Sequence, residues 1–127
     1  MTQQELKNRT KQLSIRVIRL VESLPKTMAS NTIGRQLIRS GTSVGANYRA
    51  ACRAKSTADF INKLAFVEEE ADESIYWIEL LVESDQLKPN LVENLIQEFD
   101  EILSIVVAAI KTSKARRNPK SAIPKSL

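Results

Sequence analysis

The chain contains no histidine, one cysteine, three glycines and four prolines in 127 residues. Each shortage excludes something. Without histidine there is no ordinary base near neutral pH, no Ser-His or Cys-His nucleophile and no imidazole metal ligand. The inward-facing Glu-x-x-His pairs of a di-iron helical bundle cannot be built. Glu68, Glu69 and Glu70 are consecutive, so they point around a helix and do not converge on one ion. Ser14 and Ser43 have no partner base, and Gly41-Thr-Ser-Val-Gly45 lacks the Lys-Ser/Thr ending of a phosphate loop. The expectation is a non-enzyme with no cofactor, no metal and no small-molecule substrate. The lone Cys52 excludes an intrachain disulfide, and its apolar flanks read as a small buried residue. No apolar run reaches the roughly 18–20 residues of a membrane span, and the polar start Met1–Lys7 does not read as a signal peptide. A cytoplasmic protein that meets no membrane is expected.

What is present favours helix. Leu, Ile, Ala, Glu and Lys are frequent, and apolar residues recur at intervals of three and four in four segments. The first runs from about Gln4 to Leu24 with Leu6, Leu13, Val17, Leu20 and Leu24 on one face, and Pro25 ends it. The second runs from about Ser30 to Ala54, with Ser30 or Asn31 as N-cap and Ile33, Leu37, Val44, Tyr48 and Ala51 as its stripe. Ser56 caps the third, followed by Asp59 in a weaker form of the capping box. Its stripe is Phe60, Leu64, Val67, Ala71, Ile75, Ile78 and Val82, ending near Asp85. The fourth runs from Pro89 to about Arg116 through Leu91, Leu95, Ile102, Val106 and Ala109. Short connections, Pro25–Ala29 and Gln86–Lys88, predict antiparallel neighbours. The fold class is therefore all-α, an antiparallel up-and-down four-helix bundle. One domain covers residues 1–117, and residues 118–127, with two prolines and no acid, read as a disordered basic tail.

The second helix carries an unusual density of small residues: Gly41, Ser43, Gly45, Ala46, Ala50, Ala51 and Ala54. Glycine inside a helix costs roughly 0.5–1 kcal/mol relative to alanine. Two of them four residues apart predict that another backbone comes close at Gly41 and Gly45, and the Gly41 region is a place where the helix can bend.

Charge is segregated along the chain. Residues 1–58 hold eleven Lys/Arg and two Glu, residues 59–110 hold two Lys and thirteen Asp/Glu, and residues 111–127 hold six Lys/Arg and no acid. The basic and acidic parts must face each other, within one molecule or between copies. At 100° per residue, Arg35, Arg39, Arg49 and Arg53 fall within about 80° on the second helix, opposite its apolar stripe. Glu68, Asp72, Glu79 and Glu83 form a comparable stripe on the third. Two readings stand: a solvated face bridged to a neighbouring helix, or a phosphate-binding strip that gathers once subunits assemble. In the second reading Lys114, Arg116 and Arg117, with Lys111 and Lys120, add to it.

Phe66, Trp77 and Leu80 lie off the main stripe of the third helix. They read either as an oligomer interface or as a wider core edge with Trp77 at its margin.

These residues resemble a known family. Leu37-Ile-Arg-Ser-Gly-Thr-Ser-Val-Gly-Ala-Asn-Tyr-Arg-Ala-Ala-Cys-Arg-Ala-Lys-Ser56, Asp59-Phe-Ile-Asn-Lys-Leu64 and Val67-Glu-Glu-Glu-Ala-Asp-Glu-Ser-Ile-Tyr-Trp-Ile-Glu-Leu-Leu81 carry the likeness. So do Ile15-Arg-Val-Ile-Arg-Leu-Val-Glu-Ser-Leu-Pro25 and Ile33-Gly34. Together they are similar to the bacterial four helix bundle proteins, also called 23S rRNA intervening-sequence proteins. The resemblance spans about residues 10–112. It implies an antiparallel four-helix bundle that closes into a ring, typically a homopentamer, with no established catalytic activity. Members are encoded in insertions within large-subunit ribosomal RNA genes or elsewhere in bacterial chromosomes. A similar fold serves as the basic ring that accompanies the reverse transcriptase of diversity-generating retroelements. By position, Arg39, Ser43, Asn47, Arg53, Glu69, Glu70, Asp72 and Glu73 are the polar residues of the family motif. They are candidates for function or for satisfying donors between the second and third helices. Arg49 departs from the pattern, standing where many relatives have Glu.

Two function classes follow. One is a nucleic-acid-binding ring, taking RNA or DNA on the helix-two arginines and the basic tail. The other is a protein-interaction scaffold whose charge segregation serves assembly alone. Only Tyr48, Tyr76 and Trp77 are candidates to stack on bases, and their positions read as packed.

Overall fold

The computed structural model describes residues 1–117 and forms four helices: α1 (Gln3–Glu22), α2 (Met28–Cys52), α3 (Thr57–Glu83) and α4 (Glu93–Arg117). A short 3-10 turn, Pro89–Leu91, precedes α4, and there is no strand among the described residues. The expected tail of residues 118–127 lies outside them.

Capping fixes most of the ends. Thr2 and Glu5 form a full capping box on α1. The Thr27 hydroxyl accepts the Ser30 N–H at 3.0 Å, so α2 starts at Met28, ahead of the Ser30 or Asn31 cap expected from sequence. Ser56 caps α3 as expected, accepting the Asp59 N–H at 3.1 Å. At the far end of α3, Asp85 adopts φ 64°, and the Gln86 N–H reaches the Leu81 carbonyl at 2.9 Å, the pattern of a Schellman stop. Proline at position 89 turns the start of the fourth segment into 3-10 helix. Leu91 is consequently exposed, and its neighbour Val92 enters the core.

The buried residues repeat at alternating steps of three and four. On α1 they are Leu6, Thr10, Leu13 and Val17. On α3 the run is Leu64, Val67, Ala71, Ser74, Ile78 and Leu81, and on α4 it is Leu95, Phe99, Ile102 and Val106. α2 follows the same rule through Ser30, Gly34, Leu37, Gly41, Val44, Tyr48 and Ala51. A sustained 3.5-residue repeat winds helices around one another with a left-handed supercoil. Phe60, Ile75 and Val82, expected in the stripe of α3, pack only partly against the core, because the seam follows this shorter period. Phe99 is the largest fully buried side chain among the described residues.

Neighbours in sequence are neighbours in space, and α1 closes the bundle against α4 more sparsely. There Arg9 clamps Glu98, with Nε to Oε2 at 3.0 Å, and reaches Glu101 at 3.4 Å. The Glu98 carboxylate in turn raises the pKa of the Arg9 guanidinium. At one end, the hydroxyls of Thr27 and Ser30 both donate to the Gln86 side-chain carbonyl, at 2.7 and 2.9 Å. The starts of α1 and α3 and the ends of α2 and α4 share the other end.

α2 runs unbroken through Gly41 and Gly45. The close approach is present. A Cβ on Gly41 would lie 2.9 Å from both Val17 methyls, and one on Gly45 would lie 3.2 Å from the Thr10 carbonyl oxygen. Backbone meets backbone at Gly45, whereas Gly41 makes room for the Val17 side chain. Between α2 and α3 the fully buried Ser40 and Ser74 hydroxyls share a hydrogen bond of 2.8 Å, and Ser74 also reaches the Glu70 carbonyl.

Candidate nucleic-acid interface

These contacts set the register that decides which charges meet. Gly45 beside Thr10 brings the end of α2 against the beginning of α1, where Lys7 and Lys11 stand. Ser40 opposite Ser74 makes α2 and α3 antiparallel with numbers summing to about 114, which places Lys63 opposite the stretch between Arg49 and Arg53.

Two troughs result, one on each side of the α2 ridge. The first, about 350 Å³, lies between α1 and α2 and is lined by Gln4, Lys7, Asn8, Lys11, Ser14, Gly45, Ala46, Arg49 and Arg53. The second, about 690 Å³, lies between α2 and α3 and is lined by Ala46, Arg49, Ala50, Arg53, Lys55, Asp59 and Lys63. Arg49, Arg53 and Ala46 belong to both. Their floors are small residues and their walls are long cations. Among the described residues, none of these six Lys and Arg side chains has a carboxylate oxygen within 4.0 Å. The one acid in the lining, Asp59, accepts the backbone N–H of Lys55 at 3.2 Å.

A third hollow at the same end sets Arg116 beside Gln3, Cys52, Lys55 and Phe60. Lys114 and Arg117 are exposed in the same last turn of α4. A helix dipole favours cations at C-terminal ends, which accounts for Arg49, Lys114, Arg116 and Arg117. It does not account for Lys7, Lys11 and Lys63, which sit in the first halves of α1 and α3.

The helix-two arginines do not act as one strip. Arg39 is bound to α3: its Nη1 lies 3.1 Å from Glu70, and its Nη2 contacts Glu73. Glu73 also accepts the Trp77 indole N–H at 2.9 Å. The partners of Arg39 are therefore Glu70 and Glu73, on a different face from the Glu68, Asp72, Glu79 and Glu83 stripe. Arg35 lies at the opposite end, beside Lys26 and Glu22, about 27 Å along the helix from Arg53. Lys7, Lys11, Lys55 and Lys63 were not singled out by sequence, since each lies on a different element from the arginines it joins. Asn47 turns inward on its own helix, donating to the Ser43 carbonyl at 2.9 Å.

The aromatic residues part company too. Phe66 is 49% exposed, while Trp77 and Leu80 are half-buried and Trp77 packs against the core. Tyr76, which read as packed, is 53% exposed and meets Trp77 edge to face at 5.1 Å. Tyr48 is buried, and desolvation, followed by its hydrogen bond with Cys52, pushes its phenol well above the usual range. No aromatic ring lines either trough beside Arg49 and Arg53. Among the described residues no cluster of three acids or cysteines is placed to hold a metal, and no helix is long and apolar enough to cross a membrane.

Four antiparallel helices with a cationic end define a small all-α bundle. Residues 2–108 match the 23S rRNA-intervening sequence protein family, and the chain belongs to it. It is similar to a solved structure from Bacteroides thetaiotaomicron, a protein of unknown function from the S23 ribosomal protein family. That likeness has 34% identity and a TM-score of 0.81, and covers 87% of this chain and 99% of the other. No curated protein matches.

Proposed function

We propose that this is a non-enzymatic, cytoplasmic protein that binds the phosphate backbone of RNA or DNA at its cationic end and works as a ring-like homo-oligomer. The observation that carries the binding reading is the set of six cations around two troughs, unpaired with any described carboxylate, drawn from α1, α2, α3 and the loop before α3. Only Arg9 and Arg39 among the described cations have a carboxylate oxygen within 4.0 Å, so what marks these six is that they gather around two adjoining troughs. These six are arranged with their charge directed outward, and self-repulsion between them is a standing cost that an anion relieves. Lys114, Arg116 and Arg117 extend the same field, whereas Arg35 and Arg39 fall outside it.

Self-association rests on a separate observation. Phe66 and Tyr76 expose large apolar surface on the acidic side of the molecule, and such surface fits a contact between copies. A heterologous contact of acidic α3 on a basic neighbour closes into a ring, and five subunits is the number the family likeness suggests. Light scattering should give a closed oligomer; a monomer at tens of micromolar removes this part of the reading.

Binding is tested by titrating the purified protein with RNA and DNA over a salt series. The logarithm of affinity should fall linearly with the logarithm of salt, with little dependence on sequence. An intact assembly that binds neither polymer at low salt leaves the protein-interaction scaffold as the better reading.

A further inference from the structure

The lining of the two troughs also says which form of nucleic acid they suit. Surfaces that hold single strands combine a cationic groove with aromatic platforms on which successive bases stack. Here the floor is Gly45, Ala46 and Ala50, and the walls are cations and small polar groups. The three tyrosine and tryptophan rings are elsewhere: Tyr48 inside the core, Tyr76 and Trp77 on α3 more than two turns beyond Lys63. Phe60 lines the third hollow and Phe66 is exposed on α3, but neither lines the two troughs, where unstacked bases would find no ring to lie on. A double helix has no such need, because its bases already stack on one another and only its phosphates face outward.

Charge density points the same way. A duplex carries one charge per about 1.7 Å of axis, twice that of either strand alone. The cations stand in three parallel rows, Lys7 and Lys11 on α1, Arg49 and Arg53 on α2, and Lys63 on α3. Neighbouring helix axes are about 8–10 Å apart and the three helices occupy three corners of the bundle, so the outer rows stand roughly 11–14 Å apart. That span is broad enough to meet phosphates of two strands, whereas one flexible strand occupies one trough at a time.

We infer that the cationic end takes double-helical nucleic acid, read by backbone charge alone, in preference to single strands. The inference rests on the nucleic-acid reading above and adds the form of the ligand. Each further phosphate neutralised is worth about eightfold in affinity at 0.1 M salt, so a duplex that gains even one or two contacts separates clearly from a single strand.

The test measures binding of the full chain to four labelled probes of equal length: an unstructured uridine homopolymer, a thymidine homopolymer, duplex RNA and duplex DNA. Both duplexes, or one of them, should bind at least about tenfold more tightly than either single strand, with a steeper salt slope. The two duplex arms decide between A-form and B-form geometry. Single strands bound as tightly as duplexes overturn the inference and keep the binding reading. No binding to any probe at low salt overturns both.

Discussion

Arg39 on α2 and Arg53 at its C-cap stand fourteen residues apart, yet they have opposite surroundings. Arg39 faces the middle of α3 and is held by Glu70 and Glu73. Arg53 faces the ends of α1 and α3, where the register supplies Lys7 and Lys63 and a single, backbone-engaged Asp59. A stripe of like charge on one helix therefore has no meaning of its own. Its meaning comes from the antiparallel neighbours, and that is set by contacts that are not charged at all: Gly45 against Thr10, and Ser40 against Ser74.

The sharpest way to break the comparison is to reverse charge at its cationic end. Replacing Arg49 and Arg53 together with glutamate should weaken nucleic-acid binding by roughly 100-fold or more near 0.1 M salt, through two lost phosphate contacts of about eightfold each plus repulsion. Fluorescence anisotropy checks this, with urea unfolding expected to change by no more than about 0.5 kcal/mol.

Next in size is the register itself. Gly45→Leu must push α1 away from the Thr10 carbonyl, which should cost on the order of 1–3 kcal/mol in urea unfolding. It should also weaken binding, because Lys7 and Lys11 ride on α1. A variant as stable as the parent would place Gly45 at an open surface. Ser74→Ala leaves the buried Ser40 hydroxyl with only the distant Leu37 carbonyl, at 3.4 Å, and should cost about 1–3 kcal/mol.

Smallest of all is Arg39→Ala. Its pairs are partly exposed and bring roughly 0–1 kcal/mol. Stability should drop by no more than that, with nucleic-acid affinity unchanged.

The helices and their order were legible because apolar spacing, Pro25 and the Ser56 cap are local signals. The glycine crossing was legible for the same reason, since two helix-interior glycines are a cost that only a close neighbour justifies. Ser74 and Thr10 in the core were not, because a polar residue at a seam position breaks the apolar pattern that reveals the seam. Leu81 follows the 3.5-residue seam and drifts to the edge of the stripe a straight helix predicts, whereas Phe99, about 20° from Val106 and 40° from Leu95 at 100° per residue, belongs to the predicted stripe. At the site, Arg49, Arg53 and Arg116 were visible as part of a stripe and a basic terminus. Lys7, Lys11, Lys55 and Lys63 were invisible as a group: their proximity exists only once the helices are paired in register. The split between Arg39 and Arg53 was hidden for that reason too.

That split is tested most directly by comparing salt slopes for duplex binding in three proteins: the parent, Arg49→Gln/Arg53→Gln and Arg39→Gln. If the cationic end is the interface, the double variant loses about 1.8 from the magnitude of the slope, at 0.9 per phosphate contact, and Arg39→Gln keeps the parent slope. A slope that falls equally in Arg39→Gln, or that stays unchanged in the double variant, would contradict the account.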